Sequence, residues 1–593
     1  MLFDHESAWA DEQIYEEIYE NSIKFPNEFW THHIRDISWQ KEPNSAFDEI
    51  SEKWLSGGIS NVCYNCVDRH ALKNPNKPAI IWYGDEENDR REISFSKLLD
   101  IVTKIASILK SYSVKKGDVV GIYMPMVPEA IAAMLACARI GAIHLVIFAG
   151  FSAEALAYRL SSANAKVLLT INAFKRGGKE VNLSKNFDLL KSDIKIINLE
   201  NLENYKVELT NEINWQNSED DLFILYTSGS SGNPKKIVHS ALPYMLYVTT
   251  TFKIIFGIKE DDVYFCTSDI GWITGHSYIT YAPLFYGLTT VIFSGSPTYP
   301  TADRYWKIIE QEKVSIFYTA PTAIRSLQMF NKKFVKDHDL SLLRILGSVG
   351  EPINKSAWKW YFETVGNKKC PIMDTWWQTE TGGIVIAPLR SLHQKPAVAG
   401  RPFFGIKTNI IDSELIIENK WPGICKTSKS HEVFKTGDGA IYDDNDIKIN
   451  GRMDDVINIS GHRLGTAEFE CAINKINEVK ESAVVAVPDE IKGQTAFAFV
   501  VLNDNQNSIP DVIKKIIKST RNIIGPIAKA DFVAFVPDLP KTRSGKIVRH
   551  LLRDVANNRK NLSEIHSVAN PKAIEFAKIA ASQAIFCPDM CRL

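Results

Sequence analysis

Short apolar runs alternate with amphipathic segments between residues 79 and 170. Apolar residues at 98, 102, 105 and 109 repeat at helical spacing, whereas the runs 79–83 and 119–124 have the length of buried strands. The alternation continues through residues 128–138, 142–148, 152–160 and 166–170. Strands that alternate with helices in this way predict parallel sheets covered by helices, which is the α/β class.

A change of composition marks a second domain late in the chain. Turn residues and charges crowd between Thr436 and Gly461, and predicted strands follow at 483–487, 496–502 and 531–536. At 593 residues the chain is too long for one hydrophobic core. We expect a large N-terminal domain at 1–453, with 1–75 as an extension packing on it, a small C-terminal domain at 454–558, and a tail at 559–593 without a clear core pattern.

Composition excludes several classes of protein. A net charge of −1 leaves no basic excess to hold nucleic acid or an anionic membrane surface, so we expect neither partner. The acidic first thirty residues are unlike a signal peptide. The apolar stretch 130–150 is interrupted by Arg139, Gly141 and His144, which favours a buried helix and strand over a membrane span. Nine cysteines without framework spacing indicate reduced thiols and a cytoplasmic protein.

A loop rich in hydroxyls and glycine follows the predicted strand 222–226. It reads TSGSSGNPK from Thr227 to Lys235. Gly229 and Gly232 would let backbone N–H groups turn toward an anion, and Lys235 supplies a positive charge. The spacing is not that of a Walker loop. The same composition also suits a Ser/Gly surface turn, and the loop by itself does not decide between the two.

The wider sequence context favours the phosphate-binding interpretation. YTSGSSGNPKK resembles the signature loop of the adenylate-forming superfamily, and further motifs occur in the same order as in that superfamily. Together they resemble the acetyl-CoA synthetases, from about Trp30 to Asn570. These further motifs are GWITGHSY, YTAPTAIR, GSVGEPIN, DTWWQTETGG, TGDGA, GRMDDVINISGHRLGTAE and PKTRSGKIVR.

The resemblance implies a fold and a reaction. The fold would have doubly wound sheets and a small barrel-like subdomain in the large domain, with a small mobile α+β C-terminal domain. The reaction would join acetate to AMP from ATP, with release of diphosphate, and then transfer the acetyl group to CoA. Since both reactants of the first step are anions, catalysis needs positive charge on the phosphates and fixed geometry.

By the same resemblance, one set of residues would bind ATP and Mg²⁺. Glu380 would be the magnesium carboxylate, and Val479 matches a second metal position in the small domain, where the histidine of relatives is Ile476. Asp438 would accept the ribose hydroxyls, and Gly350, Glu351 and Pro352 would hold the adenine. The remaining nucleotide-binding residues would be Thr227, Ser228, Gly229, Lys235, Asp374, Thr375, Trp376, Trp377, Gln378, Thr379, Arg452 and Arg463.

The acid pocket resembles that of acetate enzymes. Trp377 would close its floor so that only a two- or three-carbon acid fits. Ile273 stands where valine is common, and its extra methylene should disfavour propionate further. The expected pocket consists of Trp272, Ile273, Thr274, Val349 and Trp377.

The resemblance also implies a CoA path, with some departures. Ala149 replaces a glycine, Thr298 replaces an asparagine, and Asn233 and Lys236 replace the Lys and Gly usual in the phosphate loop. The stretch 402–436 is shorter than in typical relatives. The expected CoA-binding residues are Phe148, Gly150, Arg176, Lys179, Thr274, Thr298, Ala320, Ser460, Gly461 and Arg521.

Lys546 and Asp454 carry the expected catalysis. Lys546 would reach the carboxylate and the α-phosphate and stabilise the charge that develops in the transition state. Asp454 would be the hinge about which the small domain rotates between half-reactions. Lys546 would also suit acetylation and deacetylation enzymes as partners, because acetylation removes its charge. A propionyl-CoA or other short-chain acyl-CoA ligase and a non-catalytic nucleotide-binding relative stay open as alternatives.

Overall fold

The structure is a computed structural model in which the chain forms two compact units. It describes residues 7, 9–190, 194–227, 234–428, 433–453, 456–503, 509–541, 547–559, 568 and 570–586. The first unit comprises residues 1–149, 159–225 and 236–451, and the second comprises 150–158, 226–235 and 452–593.

The helices of the first 451 residues have identifiable start and stop signals. Asp11 caps α1 by accepting hydrogen bonds from the amides of Gln13 and Ile14. Helix α5 begins at Pro128 and is capped at its C-terminus by Gly141, whose φ is 72°. These helices are α1 (Glu12–Lys24), α2 (Pro26–His33), α3 (Arg69–Lys73), α4 (Phe95–Ser111), α5 (Pro128–Ile140), α6 (Ala153–Ser162), α7 (Ala241–Phe256), α8 (Ile273–Gly275), α9 (Ala282–Phe285), α10 (Arg304–Gln311), α11 (Pro321–Gln328), α12 (Lys333–Lys336) and α13 (Lys355–Trp360). Short 3₁₀ turns occur at Ile34–Asp36, Ser184–Asn186 and Leu202–Asn204, and π turns at Tyr64–Asp68, His276–Tyr281 and Tyr361–Val365.

The strands of the same region are numbered in chain order. They are β1 (Phe47–Asp48), β2 (Lys53–Trp54), β3 (Ile59–Ser60), β4 (Pro78–Tyr83), β5 (Arg90–Ser94), β6 (Val119–Tyr123), β7 (Ile143–Val146), β8 (Val167–Thr170), β9 (Ala173–Arg176), β10 (Lys179–Asn182), β11 (Lys195–Asn198), β12 (Gln216–Asn217), β13 (Asp221–Thr227), β14 (Lys235–Ser240), β15 (Val263–Cys266), β16 (Thr289–Phe293), β17 (Ile316–Thr319), β18 (Ile345–Ser348), β19 (Ile372–Asp374), β20 (Ile386–Ala387), β21 (Arg401–Pro402), β22 (Thr408–Ile411), β23 (Glu414–Ile417), β24 (Phe434–Asp443) and β25 (Asp446–Arg452).

Two large sheets dominate this region. One has the order β11-β8-β6-β7-β13-β14, and its pairs from β11 to β13 are parallel. The other has the order β19-β18-β17-β15-β16-β4-β5 and is parallel apart from the edge strand β5. The α/β prediction is therefore confirmed. A separate four-stranded sheet, β22-β23-β24-β25, follows in the chain.

The apolar stretch 130–150 is explained by the buried helix α5 and strand β7. All eleven α5 residues from Ala130 to Ile140 are buried, and so is Pro128. Such a helix is hydrophobic all round because it is enclosed by protein. Among the helices of the described residues, none is long and apolar enough to cross a bilayer.

The N-terminal segment packs on residues 388–406 of the same unit. Trp9 Nε1 donates to Pro388 O at 2.9 Å, and Tyr15 Oη donates to Pro402 O at 2.7 Å. The Arg401 guanidinium forms ion pairs with Glu12, Glu16 and Asp446, which links α1 to β25.

The second unit is a sheet with helices on both faces. Its strands are β26 (Val456–Ile459), β27 (His462–Gly465), β28 (Val479–Asp489), β29 (Gly493–Leu502), β30 (Ala530–Phe535) and β31 (Ile585–Phe586), and its helices are α14 (Thr466–Asn474), α15 (Ile509–Ile523), α16 (Arg549–Ala556) and α17 (Lys572–Ser582). The strands predicted at 483–487, 496–502 and 531–536 correspond to β28, β29 and β30. Alternate residues of β29 face opposite ways, Ala498 into one core with α14 and α15 and Phe499 into the other with α16 and α17.

The tail contradicts the expectation that it lacks a core pattern. Ile574 and Ala577 of α17 are buried in the second of these cores, and β31 pairs antiparallel with β30. The small residues Ala573 and Ala577 let α17 pack closely against the rest of the second unit. Because the buried stripe of the helix is narrow, its sequence resembles that of an exposed polar helix. The part of the tail from 570 to 586 is thus integrated into the second unit.

Candidate active site

The carboxyl ends of four parallel strands meet at one edge of the seven-stranded sheet. Register pairs join Cys266 to Tyr318, Tyr318 to Gly347, and Ser348 to Asp374, so β15, β17, β18 and β19 end together. In open α/β sheets, ligands bind beyond such ends. The segments that follow these strands contain Ala320, Val349 to Pro352, and Thr375 to Glu380.

Asp438 is held by two side chains from the segment after β19. Its Oδ2 accepts hydrogen bonds from Gln378 Nε2 at 2.6 Å and Trp376 Nε1 at 3.2 Å. Gln378 Nε2 also donates to Thr436 O at 2.8 Å, which ties the glutamine to the turn of β24. Asp438 is buried, with 7% of its surface exposed. The structure therefore joins Asp438 to two residues 62 and 60 positions earlier in the sequence, in one polar cluster.

Glu351 is a buried carboxylate that fixes the backbone beside it. It accepts hydrogen bonds from Thr322 N and from Arg325 Nη2, each at 2.8 Å. Burial raises the pKa of Glu351, and Arg325 opposes this shift. Since its side chain is engaged with α11, Glu351 suits positioning Gly350 and Pro352 at the sheet edge better than direct contact with a base.

Asp374 ends β19 in a buried position. Burial raises the pKa of Asp374 to about 7, and the nearby Ser348 hydroxyl works in the opposite direction. The neighbouring Thr375 donates from its hydroxyl to Ser348 O at 2.9 Å. Asp374 and Thr375 thus anchor the segment 376–380 to β18.

The predicted acid-pocket residues lie on three segments of this unit. Ile273, Thr274 and Val349 are buried, and Val349 follows β18 at the sheet edge. The Trp272 ring packs on Phe148 with centroids 5.4 Å apart. The Trp377 ring meets Tyr278 edge to face, with centroids 5.0 Å apart and an interplanar angle of 85°. The pocket residues 272–274 are therefore linked to Trp377 through the helical turn that carries Tyr278.

Arg176 and Lys179 are exposed residues on either side of a tight hairpin turn. They pair with each other across β9 and β10. The turn amides of Gly177 and Gly178 donate to the two carboxylate oxygens of Asp85 at 2.8 and 2.7 Å. Asp85 therefore fixes the turn, a contact that sequence reasoning missed because Asp85 lies about 90 positions away.

Other predicted CoA residues of this unit are less constrained. Thr298 Oγ1 lies 3.4 Å from Ser296 Oγ. Ala320 precedes α11 with an extended backbone, φ −86° and ψ 145°, and occupies its N-cap position.

Comparison with known sequences adds independent information. A family model described as AMP-binding enzyme matches residues 67–420, one described as AMP-binding enzyme C-terminal domain matches 468–546, and one described as acetyl-coenzyme A synthetase N-terminus matches 15–66. The chain is 43% identical to an acetyl-coenzyme A synthetase of Xanthobacter autotrophicus, with 96% of each chain covered.

The chain belongs to the acetyl-coenzyme A synthetase family of AMP-binding enzymes.

Further relatives show the same extent of similarity. Acetyl-coenzyme A synthetases of Bradyrhizobium diazoefficiens and Photobacterium profundum are 44% and 42% identical, with 96% and 98% of each chain covered. Since the similarity spans nearly the whole chain, this family member retains both the large and the small domain.

Four of the predicted site residues, Ser460, Gly461, Arg463 and Arg521, lie in the second unit. Ser460 and Gly461 form the turn between β26 and β27 with φ of 54° and 82°, the left-handed values of a tight hairpin. Arg463 lies on β27 opposite Asn458. Arg521 lies near the end of α15, close to Ile523, whose carbonyl accepts a hydrogen bond from Ser152 Oγ at 2.8 Å.

Backbone contacts place three more predicted residues in this unit. Gly150 O lies close to Gly525, and a Cβ added to Gly525 would be 2.7 Å from that oxygen. Arg452 ends β25. Val479 begins β28 with its side chain buried in the core, so only its carbonyl oxygen suits a metal.

Several predicted residues fall at or beyond the limits of the described chain. Thr227 ends β13 and Lys235 begins β14. Ser228, Gly229, Asp454 and Lys546 lie outside the described residues.

The sequence resemblance implies a magnesium ion, for which Glu380, in the segment that follows β19, would provide one carboxylate. No group of three or more His, Cys, Asp or Glu side chains forms a metal cluster in the part of the chain that the structure describes. One protein carboxylate suits Mg²⁺, which takes its other ligands from substrate phosphates and water.

The segment from Thr379 to Ile384 is held by buried donors from several elements. His239 Nε2 donates to Thr379 O at 2.7 Å, Cys425 N to Glu380 O at 2.9 Å, and Trp421 Nε1 to Thr381 O at 3.0 Å. Burial lowers the pKa of His239 to about 4, so its imidazole is neutral. Sequence reasoning missed these residues because their partners are distant in the chain.

Proposed function

We propose that this chain makes acetyl-CoA from acetate, ATP and CoA through a bound acetyl-adenylate. The observation that carries the proposal is the hydrogen-bonded cluster of Trp376, Gln378 and Asp438 at the carboxyl edge of the sheet, in which Gln378 and Asp438 are buried. A carboxylate held there suits two ribose hydroxyls, and the family relatives are named acetyl-coenzyme A synthetases.

The reaction proceeds in two displacements. An acetate oxygen attacks the α-phosphorus, and the bond from that phosphorus to the bridging oxygen of diphosphate breaks. The CoA sulfur, as thiolate, then attacks the acetyl carbon, and the bond to the phosphate oxygen breaks to release AMP. In this scheme Lys546 stabilises the charge on the α-phosphate and carboxylate during the first displacement only.

The remaining nucleotide-binding residues have matching roles. The amides and hydroxyls of Thr227, Ser228 and Gly229 and the ammonium of Lys235 bind phosphate oxygens. Arg452 and Arg463 bind the ribose or phosphates, and guanidinium groups suit both. Gly350 to Pro352 hold the adenine, and the segment 374–379 flanks the nucleotide.

Mg²⁺ bound through Glu380 would neutralise charge on the triphosphate. Val479 O is the proposed protein ligand at a second metal position in the small domain. The family's adenylation chemistry and the single carboxylate of Glu380 support the first assignment.

The acid pocket excludes long chains because Trp377 closes its floor. Its edge-to-face contact with Tyr278 supports a fixed orientation of the indole. Trp272, Ile273, Thr274 and Val349 complete the proposed walls, and all but Trp272 are buried.

CoA binds after the small domain, 454–558, has rotated about Asp454 relative to the large domain, 1–453. The exposed charges of Arg176 and Lys179 and the partly exposed Arg521 suit the nucleotide phosphates of CoA. Phe148, Gly150, Thr274, Thr298, Ala320, Ser460 and Gly461 would line the path of its pantetheine arm.

The proposed location is the cytoplasm, with enzymes that acetylate and deacetylate Lys546 as partners. All seven cysteines of the described residues are free thiols, and six of them are buried, which supports a reducing compartment. A lysine whose positive charge serves catalysis is a natural point of control by acetylation.

CoA dependence of AMP release tests the proposal. Full-length protein is incubated with acetate, ATP and Mg²⁺, with and without CoA, and AMP is quantified. We expect multiple turnovers of AMP only when CoA is present, with at most one equivalent of AMP per enzyme otherwise. Nucleotide binding without turnover in either condition would identify a non-catalytic relative instead.

A further inference from the structure

Tyr278 lies directly behind the proposed acid pocket. It belongs to the π turn His276–Tyr281, which follows α8 and therefore the pocket residues Ile273 and Thr274 without a break. The side chain is fully buried. Its ring is thus part of the support of the pocket and does not line the surface.

Three contacts fix the Tyr278 side chain. Its ring meets the Trp377 indole edge to face at 5.0 Å. Its hydroxyl oxygen accepts a hydrogen bond from Ile384 N at 2.7 Å and lies 2.8 Å from Thr251 Oγ1. Because Thr251 donates its own proton to Tyr247 O, the Tyr278 hydroxyl donates to Thr251. Both hydrogen-bonding capacities of the phenol are therefore used, and the ring has one orientation.

The neighbouring Ser277 holds the same segment one position earlier. Its hydroxyl donates to Gly382 O at 2.7 Å and accepts a hydrogen bond from Tyr244 Oη at the same distance. Gly383 lies so close to Tyr278 that a Cβ at this position would be 2.7 Å from the phenol oxygen. Residues 277 and 278 thus bind both sides of the loop that leads away from Trp377.

We propose that Tyr278 is a specificity-determining positioning residue, which limits the size of the acid by fixing the Trp377 indole. The inference rests on the proposed function, because it concerns the pocket of that reaction. Trp377 is only partly buried and is the proposed floor of the pocket, so a change in its orientation would change the depth of the pocket. Edge-to-face packing of an aromatic pair is enough to favour one rotamer of the indole.

The test compares acetate with propionate in ATP/diphosphate exchange for wild type, Tyr278→Leu and Tyr278→Phe. In Tyr278→Leu the indole gains room, and we expect the propionate-to-acetate ratio of kcat/KM to rise about tenfold or more, the effect of accepting one methylene. Tyr278→Phe keeps the ring and loses the hydroxyl. We expect its ratio to stay within about twofold of wild type even if both rates fall, since hydroxyl loss does not remove the contact with Trp377.

The ratio separates positioning from a purely structural role. Loss of folded enzyme lowers both rates equally and leaves the ratio unchanged, so an unchanged ratio in active Tyr278→Leu would overturn the inference. If that variant does not fold, Tyr278→Met is used in its place. A raised propionate-to-acetate ratio would again support the inference, and an unchanged ratio would overturn it. Absence of acid-dependent exchange in wild type would overturn the proposed function and this inference with it.

A second background tests whether Tyr278 acts through Trp377. Trp377→Gly removes the indole, so adding Tyr278→Leu should then change the ratio by less than about twofold. A further tenfold change in the double variant would show that Tyr278 influences the pocket by another route and would contradict the proposed mechanism.

Discussion

Asp438 shows how the fold can give an ordinary turn residue a buried and defined position. In a Gly-Asp-Gly turn, an aspartate usually serves the turn itself. Here Trp376 and Gln378 donate to the same carboxylate oxygen, and the residue is almost fully buried. Its orientation is therefore set by the segment that follows β19, which is also the segment that carries Trp377 and Glu380.

Replacing Asp438 tests its proposed contact with ribose. For Asp438→Asn we expect KM for ATP to rise roughly 10–100-fold. The substitution removes a charged acceptor, and the donors of Trp376 and Gln378 then face a neutral side-chain amide. Steady-state kinetics at saturating acetate would measure this. Asp443→Asn on the same strand is the matched control, since Asp443 is only partly buried and pairs with Lys395. Equal effects of the two substitutions would contradict the assignment.

At the scale of elements, the tail helix α17 belongs to the core of the second unit. Ile574 and Ala577 pack with Leu551 and Leu552 of α16, whereas Ile579 on the same helix is 58% exposed. The short strand β31 then extends the sheet beside β30.

Two isoleucines of α17 provide a matched test of this packing. Ile574→Ala removes buried methyl groups and should cost about 2–4 kcal/mol, so hydrogen–deuterium exchange in residues 547–586 should speed up about 30-fold or more. Ile579→Ala should change exchange less than about threefold. Similar effects of both substitutions would show that α17 is not packed as described.

The large elements were predictable, and the long-range contacts were not. Helical spacing at 98–109 corresponds to α4, and the runs at 79–83 and 119–124 correspond to β4 and β6, because local periodicity reflects burial. Tyr278 and Ile384 are 106 positions apart, and no local pattern links them. The site residues were predicted from ordered motifs and stay a prediction, whereas the contacts of Asp85 and His239 with neighbouring segments depend on how the chain folds back.

At the scale of the whole molecule, three buried histidines make the first unit sensitive to acid. Burial lowers the pKa of His239 to about 4 and of His276 to about 3, and it lowers the pKa of His144 far below its usual value. Rings of His144 and His276 lie 5.2 Å apart, which disfavours charging both. Burial raises the pKa of Asp374 to about 7, and this shift has the opposite effect on the acid sensitivity.

The direction of the pH dependence follows from these shifts. Below about pH 6.5 the histidines of the unfolded chain bind protons that those of the folded chain do not. The stability that the neutral, buried histidines contribute is therefore fully present above pH 6.5 and is lost as the pH falls toward 4. Asp374 binds its proton in the folded state between about pH 4 and 7 and so offsets one histidine. We expect the free energy of unfolding to fall by at least about 1 kcal/mol per pH unit between pH 6.5 and 5.

Tryptophan fluorescence can measure this dependence in the first unit, because all 13 tryptophans lie before residue 452. Urea unfolding is followed at pH 7.5, 6.5 and 5. His276→Asn, whose amide can still donate to Trp272 O, should show a smaller slope than wild type. Stability that is constant or higher at pH 5 would contradict the account.

The central claim is that Lys546 serves the adenylation of acetate and not the transfer to CoA. The most direct measurement compares wild type with Lys546→Ala in ATP/diphosphate exchange with acetate and with propionate, and in thioester formation from supplied acetyl-adenylate. We predict that wild type favours acetate, and that Lys546→Ala loses acetate exchange by about 100-fold or more while thioester formation largely survives. Equal loss of both half-reactions would contradict the account.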